Sequence, residues 1–424
     1  MTKDELSTAA RLRAIVAGSL GNLIEWYDFY VYAFTALYFS AAFFPSGDRT
    51  AQLLGTSGIF AAGFLFRPLG GWWFGRLADR HGRRRATVVS VLMMGAGSAL
   101  IAILPTYRTI GAAAPVLLLL GRILQGFSTG GQYGTAATYL SEIAFGGRRG
   151  FWASFQYVTL IGGQLLALLV ILVLQLLLPA GALSEWGWRV PFALGAVAAL
   201  GVVALSRAMH ETAATNRAEA GTLAALLPHW RAFGQVVVLS AGGSVFFYVF
   251  TTYMQKFLVN TAHLEAGVAN RVMTGVLIPF ALLQPVFGAL SDRWGRKANI
   301  VAFAALATLA TVPLLRALAM VESAGAAFAL VGAALAINAV YTSVSGLFKA
   351  ELFPVHVRAL GVSLAYGIGN ALFGGTAEYV ALRFKQAGVE GGFYWYVTAV
   401  CAAAFVAALF MRDTRGGDPL RDAG

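Results

Sequence analysis

Four charged side chains lie inside long apolar runs of this sequence: Glu25 and Asp28 in the first run, Arg67 and Arg122 in two later ones. Placing a charge at the middle of a bilayer costs ~2.5–3.5 kcal/mol on insertion scales, so groups kept there usually face a cavity and mark a pathway. Glu25 and Asp28 stand i, i+3 apart and share one helix face. Gln125, Thr129 and Tyr133 recur on the face of Arg122 and form a polar stripe along an otherwise apolar cylinder. Carboxylates and guanidiniums at such depth can hold an ionic solute or exchange a proton; the structural alternative is a buried pair that fixes helix register. Lys256, near the outer end of a later run, either joins that chemistry or snorkels to the surface.

A second feature is a repeated turn. Gly75-Arg76-Leu77-Ala78-Asp79-Arg80-His81-Gly82-Arg83-Arg84 recurs about half a chain later as Gly288-Ala289-Leu290-Ser291-Asp292-Arg293-Trp294-Gly295-Arg296-Lys297. Its glycines permit a tight reversal and close helix packing. Its aspartate can accept hydrogen bonds at the exposed N-terminus of a following helix, and its arginines suit anionic lipid and cytoplasmic carboxylates. One charged turn is often only a topology anchor, but the same order written twice is poorly explained that way.

The elements that must position these groups follow from composition. Hydrophobic residues make up 58% of the 424 and charged residues 12%, where a soluble domain carries roughly 25% charge. The charges gather in turns between apolar stretches of about 20 residues, the length that crosses a hydrocarbon core. The expected fold class is an all-α membrane protein with twelve transmembrane helices in two six-helix bundles. The spans are placed at 14–42, 51–75, 86–105, 114–141, 150–178 and 189–208, then at 232–259, 270–290, 298–319, 325–350, 358–383 and 392–412. The first run reads as a span rather than a cleavable signal. Basic residues concentrate on one set of turns, with Lys349 and Arg358 assigned to that side. The other side holds Arg49, Arg108, Arg189, Lys256, Arg271, Arg316, Arg383 and Lys385. This bias puts both termini in the cytoplasm.

The resulting domains are an N-terminal bundle over 1–205, a cytoplasmic linker over 206–231, a C-terminal bundle over 232–412 and a cytoplasmic tail over 413–424. The linker is read equally as a helix on the inner membrane surface or as a solvated connector. Two such halves in one membrane chain point to a secondary transporter with its substrate site where they meet. The formal charge of +12 does not imply nucleic acid, because no basic face interleaved with aromatics exists outside the turns. Neither a metal-spaced His/Cys cluster nor a nucleotide loop supports an enzyme, and the single cysteine, Cys401, excludes an intrachain disulfide.

The repeated turn resembles that of the major facilitator superfamily, where it follows the second and eighth helices. Gly21-Asn22-Leu23-Ile24-Glu25-Trp26-Tyr27-Asp28-Phe29-Tyr30 and Phe64-Leu65-Phe66-Arg67-Pro68-Leu69-Gly70-Gly71 are similar to the metabolite:proton symporters, which move proline, betaines, citrate, shikimate and dicarboxylates. Ser154-Phe155-Gln156-Tyr157, Thr251-Thr252-Tyr253-Met254-Gln255-Lys256 and Gly374-Gly375-Thr376-Ala377-Glu378-Tyr379-Val380 are most similar to its α-ketoglutarate carriers. The likeness runs from about residue 12 to 412.

The resemblance implies proton-coupled uptake of α-ketoglutarate or a related dicarboxylate by a multi-pass protein of the bacterial inner membrane. It implies protons as the coupling ion with no cofactor, a small organic anion and the lipid bilayer as partners, and a monomer. A dianion at mid-membrane needs paired cations and donors to replace its water, and arginine binds a carboxylate with two parallel bonds. The expected substrate contacts are Arg67 and Arg122, with Tyr27, Gln156, Tyr157, Gln164 and Tyr248 as donors and Lys256 reaching from the second half. In proton-coupled facilitators a first-helix aspartate and a fourth-helix arginine form a proton-switched pair, which by matching motif are Asp28 and Arg122 here; Glu25 is a second titratable group. The family pattern also implies an inner gate of Asp79, Arg83 and Glu142 in one half and Asp292, Arg296 and Glu351 in the other.

One position departs from the pattern. The branch usually carries Gly-Gly-Glu-Tyr-Gly in the fourth helix, whereas this chain has Gly130-Gly131-Gln132-Tyr133-Gly134. Glutamine keeps the shape and hydrogen bonds but cannot titrate. If that glutamate is the coupling acid, the protein is either uncoupled or held in one state by the substitution; if Asp28 is, the change is local. Glu378 is either another titrating group or part of the outer rim. The alternatives are a carrier of a zwitterion such as proline or betaine, against which the two intramembrane arginines argue, and a non-transporting receptor or channel.

Overall fold

The computed structural model describes residues 8–413 except 46, 144–146, 180 and 206–220; for 8–19, 79, 83, 132, 135, 139, 142, 143 and 205 it describes backbone only. The described residues are helical or connecting, with no strand among them. The long helical stretches are labelled in chain order. In the first half they are α1 (Thr8–Phe43), α2 (Arg49–Leu65, resuming as Arg67–His81), α3 (Arg83–Ile103), α4 (Ala113–Ile143), α5 (Arg149–Leu177) and α6 (Leu183–Ala204). In the second they are α7 (Leu223–Asn260), α8 (Ala266–Trp294), α9 (Arg296–Ala319), α10 (Ala324–Glu351), α11 (Arg358–Gly369, resuming as Ala377–Gln386) and α12 (Glu390–Leu409).

Ten of these stretches are long and apolar enough to cross a membrane. The exceptions, α1 and α11, are long as well, but Asp28 and the tyrosines lower the hydropathy of α1, and Arg358, Asn370 and the glycines lower that of α11. Large apolar side chains such as Leu176, Leu309 and Phe410 point outward, a liability in water and the expected surface in lipid.

The halves meet along matched crossings. The C-terminal part of α2 packs against the start of α11, and α5 packs along α8. In the sequence repeat α2 corresponds to α8, so these two crossings are related. The pivots of the repeated turns, Gly82 and Gly295, have φ of 94° and 96° and the same ψ of 155°. Such a φ is open to glycine at no steric cost. The repetition in sequence is thus a repetition of backbone shape. Both α7 and α11 contain a π-helical turn, Val249–Tyr253 and Asn370–Gly374, an interruption often found beside functional positions.

Helix α7 begins at Leu223, ahead of the expected 232, and α10 agrees with its expected span to within a residue at each end. Most of the expected linker, residues 206–220, lies outside the described residues.

Candidate functional site

Arg67 is set by a break. Helix α2 stops at Leu65 and restarts at Arg67 with Pro68 beside it, a residue that lacks an amide and suits a first helical turn. The restarted segment lies backbone to backbone on α4. A Cβ on Gly126 would overlap the Gly63 carbonyl, and one on Gly130 the Arg67 carbonyl. This contact carries both arginines into the aromatic wall of α1 and α2. Arg67 Cζ lies 3.7 Å from the Phe64 ring centre and 4.4 Å from that of Phe29. Arg122 Cζ lies 4.3 Å from Tyr32, 4.9 Å from Phe29 and 5.0 Å from Phe60. Both side chains are fully buried, and such ring faces partly replace lost hydration of a cation.

The Arg67 guanidinium looks toward the other half. Its Nη1 donates to the Tyr248 hydroxyl of α7 at 3.4 Å, while Nε and Nη2 have no hydrogen-bond partner among the described residues. No carboxylate there lies within ion-pair distance of it. A buried guanidinium with spare donors and an aromatic surround is chemically ready for an anion.

Arg122 and Asp28 are not a contact pair. Arg122 Nη1 donates to Gln125 Oε1 at 2.6 Å, Gln125 Nε2 donates to Ser98 Oγ at 2.6 Å, and the Ser98 hydroxyl donates to Asp28 Oδ1. Asp28 Oδ2 has no partner among the described residues. The expected direct pair is therefore a relay through two neutral side chains, one of them a serine of α3 that the sequence reading passed over. Glu25 is buried as well and accepts from Ser90 at the long distance of 3.5 Å.

The expected donors divide. Tyr248 stands at the interface, bonded to Arg67. Gln156 donates to the Tyr133 carbonyl at 3.2 Å and presses its Oε1 against Gly346 of α10. Tyr157 is buried edge-on to Tyr133 and Phe247, and Gln164 is buried with both polar atoms unpartnered among the described residues. Tyr27 instead gives its hydroxyl to the Pro191 carbonyl at 2.8 Å, inside its own half. Lys256 is already matched: its Nζ lies 2.6 Å from Glu378 Oε2, both buried within the second half. Glu378 is therefore the partner of a lysine rather than part of a rim.

The repeated turn of the second half binds the first half. Asp292 accepts from the backbone amides of Gly150 at 2.8 Å and Phe151 at 3.1 Å, at the start of α5. Arg296 Nη1 lies 3.2 Å from Asp292 Oδ1, and its Nε lies 3.7 Å from Glu351 Oε1. The equivalent side chains of the first half, Asp79, Arg83 and Glu142, lie outside the described residues, as does Gln132.

This geometry has close relatives. An alpha-ketoglutarate permease of Escherichia coli (strain K12) is 57% identical over 407 residues, covering 95% of this chain and 94% of the relative. The chain belongs to the major facilitator superfamily. Within it the place is the metabolite:proton symporter family. A family model described as "Sugar (and other) transporter" matches residues 14–221 of this facilitator. A citrate-proton symporter of Salmonella typhi is 34% identical over 97% of the chain and 96% of its own length. A proline/betaine transporter of Escherichia coli (strain K12) is 29% identical over 97% and 85%. Among solved structures, a proton:xylose symporter bound to 6-bromo-6-deoxy-D-glucose superimposes with a TM-score of 0.76 at 19% identity, covering 96% of each chain; the likeness is one of fold.

A second set of contacts joins the halves of the facilitator at the end away from the repeated turns. Asn270 of α8 donates to the Tyr38 hydroxyl at 2.9 Å and to Gln175 Oε1 at 3.2 Å, joining α8 to α1 and α5. A 610 Å³ cavity lies outside this seal, lined in part by Gln175, Glu265 and Arg271.

Sequence reasoning missed Lys349 of α10. It was assigned to the cytoplasmic side because its apolar run ends one residue later, yet the side chain is wholly buried against the first half. The available signal was the i, i+4, i+8 spacing of Tyr341, Ser345 and Lys349, which makes one polar helix face.

Proposed function

We propose that this facilitator takes up α-ketoglutarate, or a closely related dicarboxylate, together with protons. It works as a monomer in a bacterial inner membrane, with twelve spans and both termini cytoplasmic, by rocking residues 1–205 against 232–412 around the site between them. The observation that carries this reading is Arg67: a buried guanidinium at the junction of the halves, with no carboxylate within ion-pair distance among the described residues and with Nε and Nη2 still to donate. Closeness to a permease of that name supports the choice of substrate. A zwitterion would bring its own cation beside this guanidinium and is the poorer match.

Coupling follows from the relay. With Asp28 ionised, each hydrogen bond points from Arg122 toward the aspartate, and the chain holds both ends. A proton on Asp28 removes the anionic acceptor of Ser98. The serine and Gln125 then lose their fixed orientation, and the Arg122 guanidinium turns toward the incoming anion. Loss of the proton on the inner side restores the relay and withdraws that guanidinium. The latch at Asp292 opens and closes the inner end, and the Tyr38–Gln175–Asn270 cluster the outer.

The experiment is uptake of labelled α-ketoglutarate into proteoliposomes, with and without an inward proton gradient and with succinate, citrate or proline as competitors. Accumulation driven by the gradient and inhibited by dicarboxylates is expected. Exchange without accumulation would remove the proton coupling, and inhibition by proline alone would replace the substrate class.

A further inference from the structure

We propose that Lys349 is a further anion-binding group of the transport site, receiving the far carboxylate of a dicarboxylate whose near carboxylate lies on Arg67. The inference rests on the carboxylate reading above and extends it to how two-ended anions are told from one-ended ones.

Lys349 is a buried lysine with no carboxylate partner among the described residues. No Asp or Glu lies within ion-pair distance of it among the described residues; its Nζ instead donates to Ser345 Oγ at 2.7 Å and to Tyr133 Oη at 3.0 Å. An ammonium has three N–H donors, so one remains. Its surroundings are ring faces: Tyr366 at 4.4 Å and Tyr133 at 4.8 Å, with Phe348 at 5.6 Å and Tyr341 at 5.8 Å. Lys256, the other fully buried lysine of the same half, has Glu378 at 2.6 Å. Among the described residues one buried lysine is matched with a carboxylate and the second only with hydroxyls and rings, so neutralising a charge on the second falls to another group.

The location fits a ligand that must touch both halves. Lys349 comes from α10 and its partner Tyr133 from α4. Tyr133 stacks on Tyr366 of α11 with ring centres 3.5 Å apart. Gly367, the next residue after Tyr366, packs on the Arg67–Pro68 backbone. The two cations therefore border one tyrosine-lined junction, Arg67 fixed to the first half and Lys349 to the second. A dicarboxylate bridges them. A monocarboxylate satisfies Arg67 and leaves Lys349 unmatched. Because the cations belong to different rocking bodies, only the two-ended anion holds the closed junction from both sides.

The test uses full-length protein in detergent and in proteoliposomes, with α-ketoglutarate compared against 2-oxobutyrate, which keeps the 2-oxo acid end and lacks the far carboxylate. Ligand-induced shifts of the melting transition report binding, and counterflow reports transport. Wild type is expected to favour α-ketoglutarate. Lys349→Gln should weaken α-ketoglutarate at least tenfold and leave 2-oxobutyrate within twofold, while Lys349→Arg should keep the preference. Equal weakening of both ligands, or no weakening, would overturn the assignment. If the glutamine variant fails to fold, Ser345→Asp places a carboxylate beside Lys349 and must produce the same selective loss; an unchanged preference in that variant would equally overturn it. A wild type that binds neither acid would instead bring down the carboxylate reading itself, a result distinct from a wild type whose preference Lys349 does not control.

Discussion

Asp28 and Arg122 occupy the two ends of one hydrogen-bonded chain and never meet, because Ser98 and Gln125 stand between them. A contact ion pair holds through Coulomb attraction in any orientation. A relay holds only while each member keeps its direction, so it reports the charge on one end to the other. That difference decides what single substitutions do.

Asp28→Asn keeps an acceptor for Ser98 but removes the titrating group. Gradient-driven accumulation of α-ketoglutarate should fall to the level reached without a gradient, while counterflow stays within a few-fold of wild type. Accumulation at wild-type level in proteoliposomes would take Asp28 out of the coupling scheme.

Ser98→Ala separates relay from pair. It removes the bond to Asp28 and the acceptor of Gln125 together, so accumulation should drop by about tenfold, each hydrogen bond to a charged group contributing ~1.5–3 kcal/mol. If Asp28 and Arg122 acted by direct contact alone, the alanine variant would accumulate substrate normally.

What could be read beforehand depended on local cost. Glu25, Asp28, Arg67 and Arg122 are conspicuous because a charge in the middle of an apolar run has no cheap exit, and the structure buries all four. Lys349 sits one residue from the end of its run, where snorkelling is the ordinary outcome, and the approach of α4 and α11 closes that exit. Tyr27 shares α1 with Asp28, yet one step along a helix turns the side chain by about 100°, toward Pro191 rather than the junction. The match of Lys256 with Glu378 spans 122 positions, a distance no periodicity encodes. The matched turns were legible as a repeat, because Gly82 and Gly295 must both adopt a positive φ.

The inner latch gives a conformational prediction. Asp292→Ala removes the carboxylate that accepts two hydrogen bonds from the α5 amides and pairs with Arg296, shifting the closed state by roughly 2–4 kcal/mol. Cysteines placed on the inner ends of α5 and α8 should label faster, and spin labels there should show a longer mean distance. Unchanged labelling would mean that the Gly150–Gly288 backbone contact closes the inner end without help.

The buried Lys256–Glu378 pair separates stability from substrate binding. Lys256→Met strands a buried carboxylate and Glu378→Gln strands a buried ammonium, so each alone should destabilise by about 3–5 kcal/mol, since taking one partner from a buried ion pair leaves an uncompensated charge. Replacing both with Met restores an apolar match between α7 and α11, and the melting transition should return close to that of wild type. Transport then decides the role of the pair. With Lys256 neutralised by Glu378 at 2.6 Å, the double variant should retain most of its affinity for α-ketoglutarate, whereas Arg67→Gln, which leaves the aromatic wall without its guanidinium, should lose at least a hundredfold. A folded double variant that loses substrate as completely as the Arg67 variant would return Lys256 to the substrate site and make Glu378 its release switch.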